Sequence, residues 1–202
     1  MQEKDIICGI DEAGRGPLAG PVCATSVIFR NEDSAFYLKN SGYLRDSKKM
    51  SQKMRDKAFS EIIKHAFFAI GWASNLEIDR INILQASLLA MRRSFSHLYR
   101  MLQKEKPNIL TRLKIIVDGN FLPKFEEDVF GVAIVKADAK VCEVMASSIL
   151  AKVTRDAMMC RCHKAYPFWR YDRHKGYPTK AHKDAIKKYG MSPIQRRSFR
   201  KH

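Results

Sequence analysis

Apolar positions in this chain follow two rhythms. Residues 5–12, 22–29, 67–73, 114–119 and 129–136 carry short, nearly unbroken apolar runs rich in Ile, Val and Phe. Runs of that length bounded by Gly, Pro or polar clusters predict buried strands. The second rhythm is helical. Ile78, Ile81, Leu84, Leu88 and Met91 fall on one face of a helix over roughly 77–102. Further helices are predicted at 52–65, 141–160 and 180–189, the last closing at Gly190. Ser51 suits the N-cap of the first, because its hydroxyl can accept an N–H left unpaired in the opening turn. The stretch from about 30 to 46 reads as a polar loop.

Three strands, a long helix, two strands and then helices is an α/β order. The link through Gly14, Gly16, Pro17, Gly20 and Pro21 makes the first two strands a hairpin. The long helix then crosses over to the fourth. One mixed, mainly five-stranded sheet flanked by helices fits this order, with a helical basic segment at the C-terminal end. At 202 residues and 46% hydrophobic, one domain over 1–202 is expected. No apolar run approaches the ~18 residues of a membrane span, and residues 1–5 show no signal-peptide pattern. A cytoplasmic protein without membrane contact is expected. The five cysteines suggest no disulfide framework. Cys160-x-Cys162-His163 has the wrong spacing for zinc and reads as helix-end packing.

Charge narrows the class. The net charge is +16, and residues 161–202 hold +11 of it. Tyr166, Phe168, Trp169, Tyr171, Tyr177, Tyr189 and Phe199 are interleaved with those cations. Cations among aromatic rings suit a nucleic acid, so 161–202 is expected to be a basic substrate-binding segment.

Acids end the predicted strands at Asp11-Glu12, Asp118 and Asp138. Neighbouring carboxylates repel each other, and a bound cation is the usual remedy. A carboxylate set without His or Cys favours hard, oxygen-liganded ions, meaning Mg²⁺ or Mn²⁺. With a polyanionic partner, the set suggests two-metal phosphodiester hydrolysis. A Gly-Arg-Gly turn at 14–16 follows the first acids at once, and its glycines let backbone come close to a ligand. A non-catalytic nucleic-acid-binding module is disfavoured, since a polyanion binder gains nothing from clustered acids.

The run from Gly9 to Val22, GIDEAGRGPLAGPV, resembles the ribonuclease HII signature. The resemblance continues in Asp46-Ser47-Lys48-Lys49, Asn82-Ile83-Leu84, Val117-Asp118-Gly119 and Lys136-Ala137-Asp138. It resumes in the run from Ala146 to Asp156 and in His174-Lys175-Gly176-Tyr177-Pro178-Thr179, so it spans nearly the whole chain. It implies a ribonuclease H-like fold and an endonuclease acting on RNA–DNA hybrids and on single ribonucleotides embedded in duplex DNA. It implies metal-binding catalytic roles for Asp11, Glu12, Asp118 and Asp138. Gly14, Arg15 and Gly16 would read the ribose 2′-OH, Tyr177 would pack on the adjacent deoxyribose, and Lys48 or Lys49 would contact phosphate. The Gly-Arg-Gly loop and the Tyr177 motif argue against another two-metal enzyme of this fold, such as a resolvase. His163, His174 and His182 lie in basic surroundings suited to phosphate contact. Asp156 reads as a salt-bridge residue, and Asp46 as structural. Gln195 departs from the pattern, standing where the closing motif carries histidine. A monomer is expected, and contact with a replication clamp leaves no readable signature.

Overall fold

The computed structural model describes residues 4–199. Its sheet is built from β1 (Ile6–Ala13), β2 (Val22–Phe29), β3 (Ala66–Ala73), β4 (Leu113–Asp118) and β5 (Phe130–Ile134). The order across the sheet is β3-β2-β1-β4-β5. β1–β2 and β2–β3 pair antiparallel, while β1–β4 and β4–β5 pair parallel. The mixed five-stranded sheet of the sequence reading is therefore present.

The helices are α1 (Glu32–Asn40), α2 (Gln52–His65), α3 (Asn75–Glu105), α4 (Cys142–Ala165), α5 (Tyr171–His174) and α6 (Lys180–Tyr189). Strand residues alternate between the two faces. Cys8, Ile10, Ile115 and Val117 pack with Ala86, Ala90, Phe95 and Leu98 of α3. On the other face, Val27 and Phe29 pack with Ile62 of α2 and with Ala146, Ile149 and Leu150 of α4. A Cβ on Gly9 would stand 2.2 Å from the Glu143 carbonyl carbon, so backbone of α4 lies directly against β1. None of the helices is long and apolar enough to cross a membrane among the described residues.

Three elements differ from expectation. The loop at 30–46 contains α1, whose N-cap Asn31 accepts the Ser34 N–H at 2.8 Å. Only Ser34 and Leu38 of this helix are buried, too few positions to print a helical rhythm. The long helix bends at Asn82, which has φ 66°. The Asn82 side chain then accepts the Gln85 N–H at 3.1 Å and caps the second limb. The last strand stops at Ile134, and Asp138 lies in a separate 3₁₀ turn, Ala137–Ala139. Ser51 caps α2 as expected, accepting from Met54 at 3.3 Å.

Candidate active site

Parallel pairing places Ile10 beside Val117. Asp11 and Asp118 are the next residues of β1 and β4, so their carboxylates emerge side by side on one end of the sheet. Asp118 also shapes the turn carrying Asp138. Its Oδ1 accepts from Ala137 N–H at 2.7 Å and from Asp138 N–H at 3.4 Å. Carboxylate oxygens of Asp11, Asp118 and Asp138 all lie within 4.8 Å of one another.

Asp11 is 5% exposed. Burial, then the charges of Glu12 and Asp118, raise its pKa well above the usual carboxylate value. Asp118 is raised by burial and Asp138, against hydrogen bonds from Ala137 and Asp138. Three oxygen-donor acids that destabilise one another's charge fit a hard divalent cation. Glu12 enters from the opposite side of β1 and stands outside the triad. Its carboxylate lies 3.5 Å from Arg15, and burial together with Asp118 raises its pKa against that arginine's pull.

Helix α4 braces the acids with serines. The Ser147 hydroxyl accepts the Asp11 N–H at 2.9 Å and donates to the Thr25 carbonyl at 2.6 Å. Ser148 hydrogen-bonds Ser47 at 2.9 Å, tying in the segment that carries Lys48. Lys48 Nζ lies 3.6 Å from Asp138. Partial burial opposes its charge, but Asp138 and Asp11 hold its pKa above the usual lysine value. The Lys49 side chain is exposed, with no ion pair among the described residues, so Lys48 is the lysine brought to the acids.

The Gly-Arg-Gly turn lies next to the acids, and Tyr177 lies next to the turn. A Cβ on Gly16 would meet only Tyr177 Cε1, at 3.8 Å. Tyr177 is 38% exposed, and Lys152 Nζ stands 5.4 Å from its ring centroid. The ring is therefore available to a ligand. Two buried imidazoles hold its turn. His182 Nδ1 is 2.9 Å from the Tyr177 carbonyl, and His174 Nδ1 accepts the Gly176 N–H at 3.2 Å. They stack at 4.4 Å between ring centroids. Burial lowers the pKa of both. The expected phosphate contact at these two histidines is thus replaced by a structural role. His163 lies 3.3 Å from Asp172, and Asp156 forms its ion pair with Lys152 at 2.9 Å.

Gln195 is buried and forms a backbone bridge with Ala19. Its amide oxygen lies 3.5 Å from the Tyr171 hydroxyl. Position 195 therefore packs against Ala19 of the segment following the turn and against Tyr171.

A ribonuclease HII family model matches residues 8–202. The chain belongs to the ribonuclease HII family. Ribonuclease HII of Treponema denticola is 51% identical over 199 residues, covering 96% of this chain and 98% of that one. The ribonuclease H2 structure from Pyrococcus horikoshii is 29% identical, with TM-score 0.70 over 96% of this chain and 94% of that one. A Bst ribonuclease HIII structure in complex with Mn²⁺ shares the fold at 18% identity. Its TM-score is 0.69 over 92% of this chain and 71% of that one. Membership makes this family chain an endoribonuclease H, a phosphodiester hydrolase dependent on divalent metal, with the ribonuclease H-like fold.

The sequence reading assigned Ser147 and Ser148 only the close packing of small side chains onto the sheet, and it assigned Arg155 and Arg196 no role. Arg155 follows Ser148 by seven residues and Ser147 by eight, spacings that bring it to the same side of α4 as the serines. Arg196 sat among surface-type cations and gave no such signal.

Proposed function

We propose that the enzyme hydrolyses the RNA strand of RNA–DNA hybrids and incises duplex DNA 5′ of a single embedded ribonucleotide, leaving 3′-OH and 5′-phosphate ends. The observation carrying this reading is the adjacency of a three-carboxylate cluster, a glycine turn and an exposed tyrosine ring. Asp11, Glu12, Asp118 and Asp138 would hold Mg²⁺ or Mn²⁺. Such ions, when bound, supply Lewis acidity to the scissile phosphate and to the attacking water.

The chain's own residues do the rest. Backbone of Gly14, Arg15 and Gly16 meets the ribose, and the absence of side chains at 14 and 16 permits close approach. The 2′-OH is what separates RNA from DNA at one nucleotide, so it acts here as a handle and not as the nucleophile. The Tyr177 ring packs against the deoxyribose just 3′ of it. Of Lys48 and Lys49, Lys48 stands beside the acids, 3.6 Å from Asp138, and would contact a substrate phosphate there. Residues 161–202 supply the basic surface for the duplex. The whole chain works as one catalytic domain, a cytoplasmic monomer, for which a replication clamp is a compatible partner.

One gel tests the reading. A duplex with a single ribonucleotide should be cut on its 5′ side with metal and remain whole in EDTA. A 2′-O-methyl group there should block cutting. Products ending in 2′,3′-cyclic phosphate would show the 2′-OH attacking and overturn it.

Tyr177→Ala should reduce turnover on a single embedded ribonucleotide more than on a long hybrid, which offers little deoxyribose downstream. Ring packing of this kind is worth about 1–3 kcal/mol, or roughly five- to 150-fold. Equal losses on both substrates with a large fall in Tm would make Tyr177 a structural residue.

A further inference from the structure

Behind the Gly-Arg-Gly turn lie two arginines that the hydrolytic reading leaves without a role. Arg155 of α4 is 0% exposed and Arg196 is 1% exposed. A buried guanidinium normally meets a carboxylate, because an unpaired interior charge is costly. Neither arginine forms an ion pair among the described residues. Both are spent on backbone carbonyls instead. Arg155 donates to Pro21 at 2.9 Å, Ala19 at 3.2 Å and Lys175 at 3.1 Å. Arg196 donates to Gly14 at 2.6 Å, Pro17 at 2.7 Å, and Arg15 and Gly20 at 2.9 Å. The Arg196 N–H also donates to the Leu18 carbonyl at 2.9 Å.

These bonds orient the whole turn. Between residues 14 and 21, every carbonyl except that of Gly16 accepts a hydrogen bond from one of the two arginines. Among the described residues, the N–H groups of Arg15 and Gly16 have no partner. A guanidinium carries five donors in a fixed fork, which suits the gathering of several carbonyls onto one point. Peptide units whose oxygens are drawn toward buried positive charge turn polarised N–H groups the other way, forming a concavity that favours an oxygen ligand.

We propose that Arg155 and Arg196 are positioning residues for ribose recognition: they fix the carbonyls of residues 14, 15 and 17–21 inward and thereby present the turn's free N–H groups to the 2′-oxygen. This rests on the reading of the turn as the ribose contact. It extends that reading to two side chains that do not touch substrate and to the C-terminal segment carrying Arg196. Lysine is a poor substitute, since a single ammonium cannot span the five carbonyl oxygens that the Arg196 guanidinium reaches, that of Pro21 at 3.3 Å included.

The test is equilibrium binding in an Asp118→Asn background, to stop turnover. Two duplexes are compared, identical except for one 2′-OH. The background protein should prefer the ribonucleotide duplex. Arg196→Lys and Arg155→Lys should each lose about tenfold of that preference, while affinity for the all-DNA duplex stays within about twofold. Millimolar guanidinium should restore preference to Arg196→Ala where equal sodium chloride does not. Thermal melting is followed for every variant. Preference retained by both folded lysine variants would overturn the proposal. So would equal losses on the two duplexes, which is the pattern of general damage or of phosphate binding. If Arg196→Ala melts below the assay temperature, Arg155→Lys and guanidinium-dependent refolding decide. A background protein with no preference between the duplexes would instead remove the ribose reading of the turn itself.

Discussion

Asp11→Asn or Asp118→Asn should lower turnover on the order of a thousandfold while raising the melting temperature of the metal-free protein. The activity loss follows from removing a charged oxygen from a three-carboxylate cluster. The rise follows from the same cluster. Both acids have folded-state pKa values above their usual ones, with burial as the largest cause. A group with a raised folded pKa contributes stability that is present below its unfolded value and lost as pH rises through the folded one. At neutral pH, therefore, ionised Asp11 and Asp118 weaken the metal-free fold. The amide relieves that cost and still accepts the N–H bonds that Asp11 takes from Glu12 and Asp118 from Ala137. Calorimetry with and without Mn²⁺ checks it. Wild type should gain Tm on adding metal, and the variants should gain less. Wild-type turnover in EDTA, or a variant melting well below wild type, would defeat the prediction.

Alanine should destabilise the fold at position 14 and leave it nearly unchanged at position 16. Gly14 has φ 104°, and a Cβ there would lie 2.0 Å from Arg155 Nε. Backbone strain and displacement of a buried guanidinium together should cost about 3 kcal/mol, or roughly 6–12 °C in Tm. Turnover should fall about a hundredfold on every substrate, because the turn is displaced. At Gly16 the added methyl meets only the Tyr177 ring at ordinary contact distance. Gly16→Ala should therefore melt within a degree or two of wild type. Its defect should appear in KM for ribonucleotide-containing duplexes, where the methyl stands between backbone and sugar. Melting curves beside steady-state kinetics separate the two, and equal Tm losses would show that both glycines serve folding alone.

The acids were legible in the chain because strands end where apolar runs end, and parallel register then sets Asp11 beside Asp118. Asp138 was legible as an acid past a strand. Its true support, the 3₁₀ turn held by Asp118, was not, since it depends on a contact twenty residues away. Helix α1 escaped because one buried leucine makes no periodic pattern, although Asn31 followed by Glu32 and Asp33 is a helix-start signal. His174 and His182 were misjudged for a common reason. Neighbouring lysines in sequence say nothing about which way a ring points, and these rings point inward. Arg196 was counted with the cations facing solvent. Charge totals treat each cation as outward, and only the fold reveals one turned onto carbonyls.

The contact at Gly9 gives α4 a further significance. With no side chain between strand and helix, the helix has one available height above the sheet. Ser147, which braces Asp11, and Arg155, which grips the turn, lie eight residues apart on that helix, about 12 Å along its axis. With the turn reading the sugar as proposed, hydrolysis and ribose discrimination would be set by two marks on one ruler, zeroed against β1. A methyl group at position 9 would act as a shim, lifting both marks together by a fraction of the 1.5 Å rise per residue. The enzyme would then lose catalytic alignment and ribose discrimination jointly, from a substitution that touches neither.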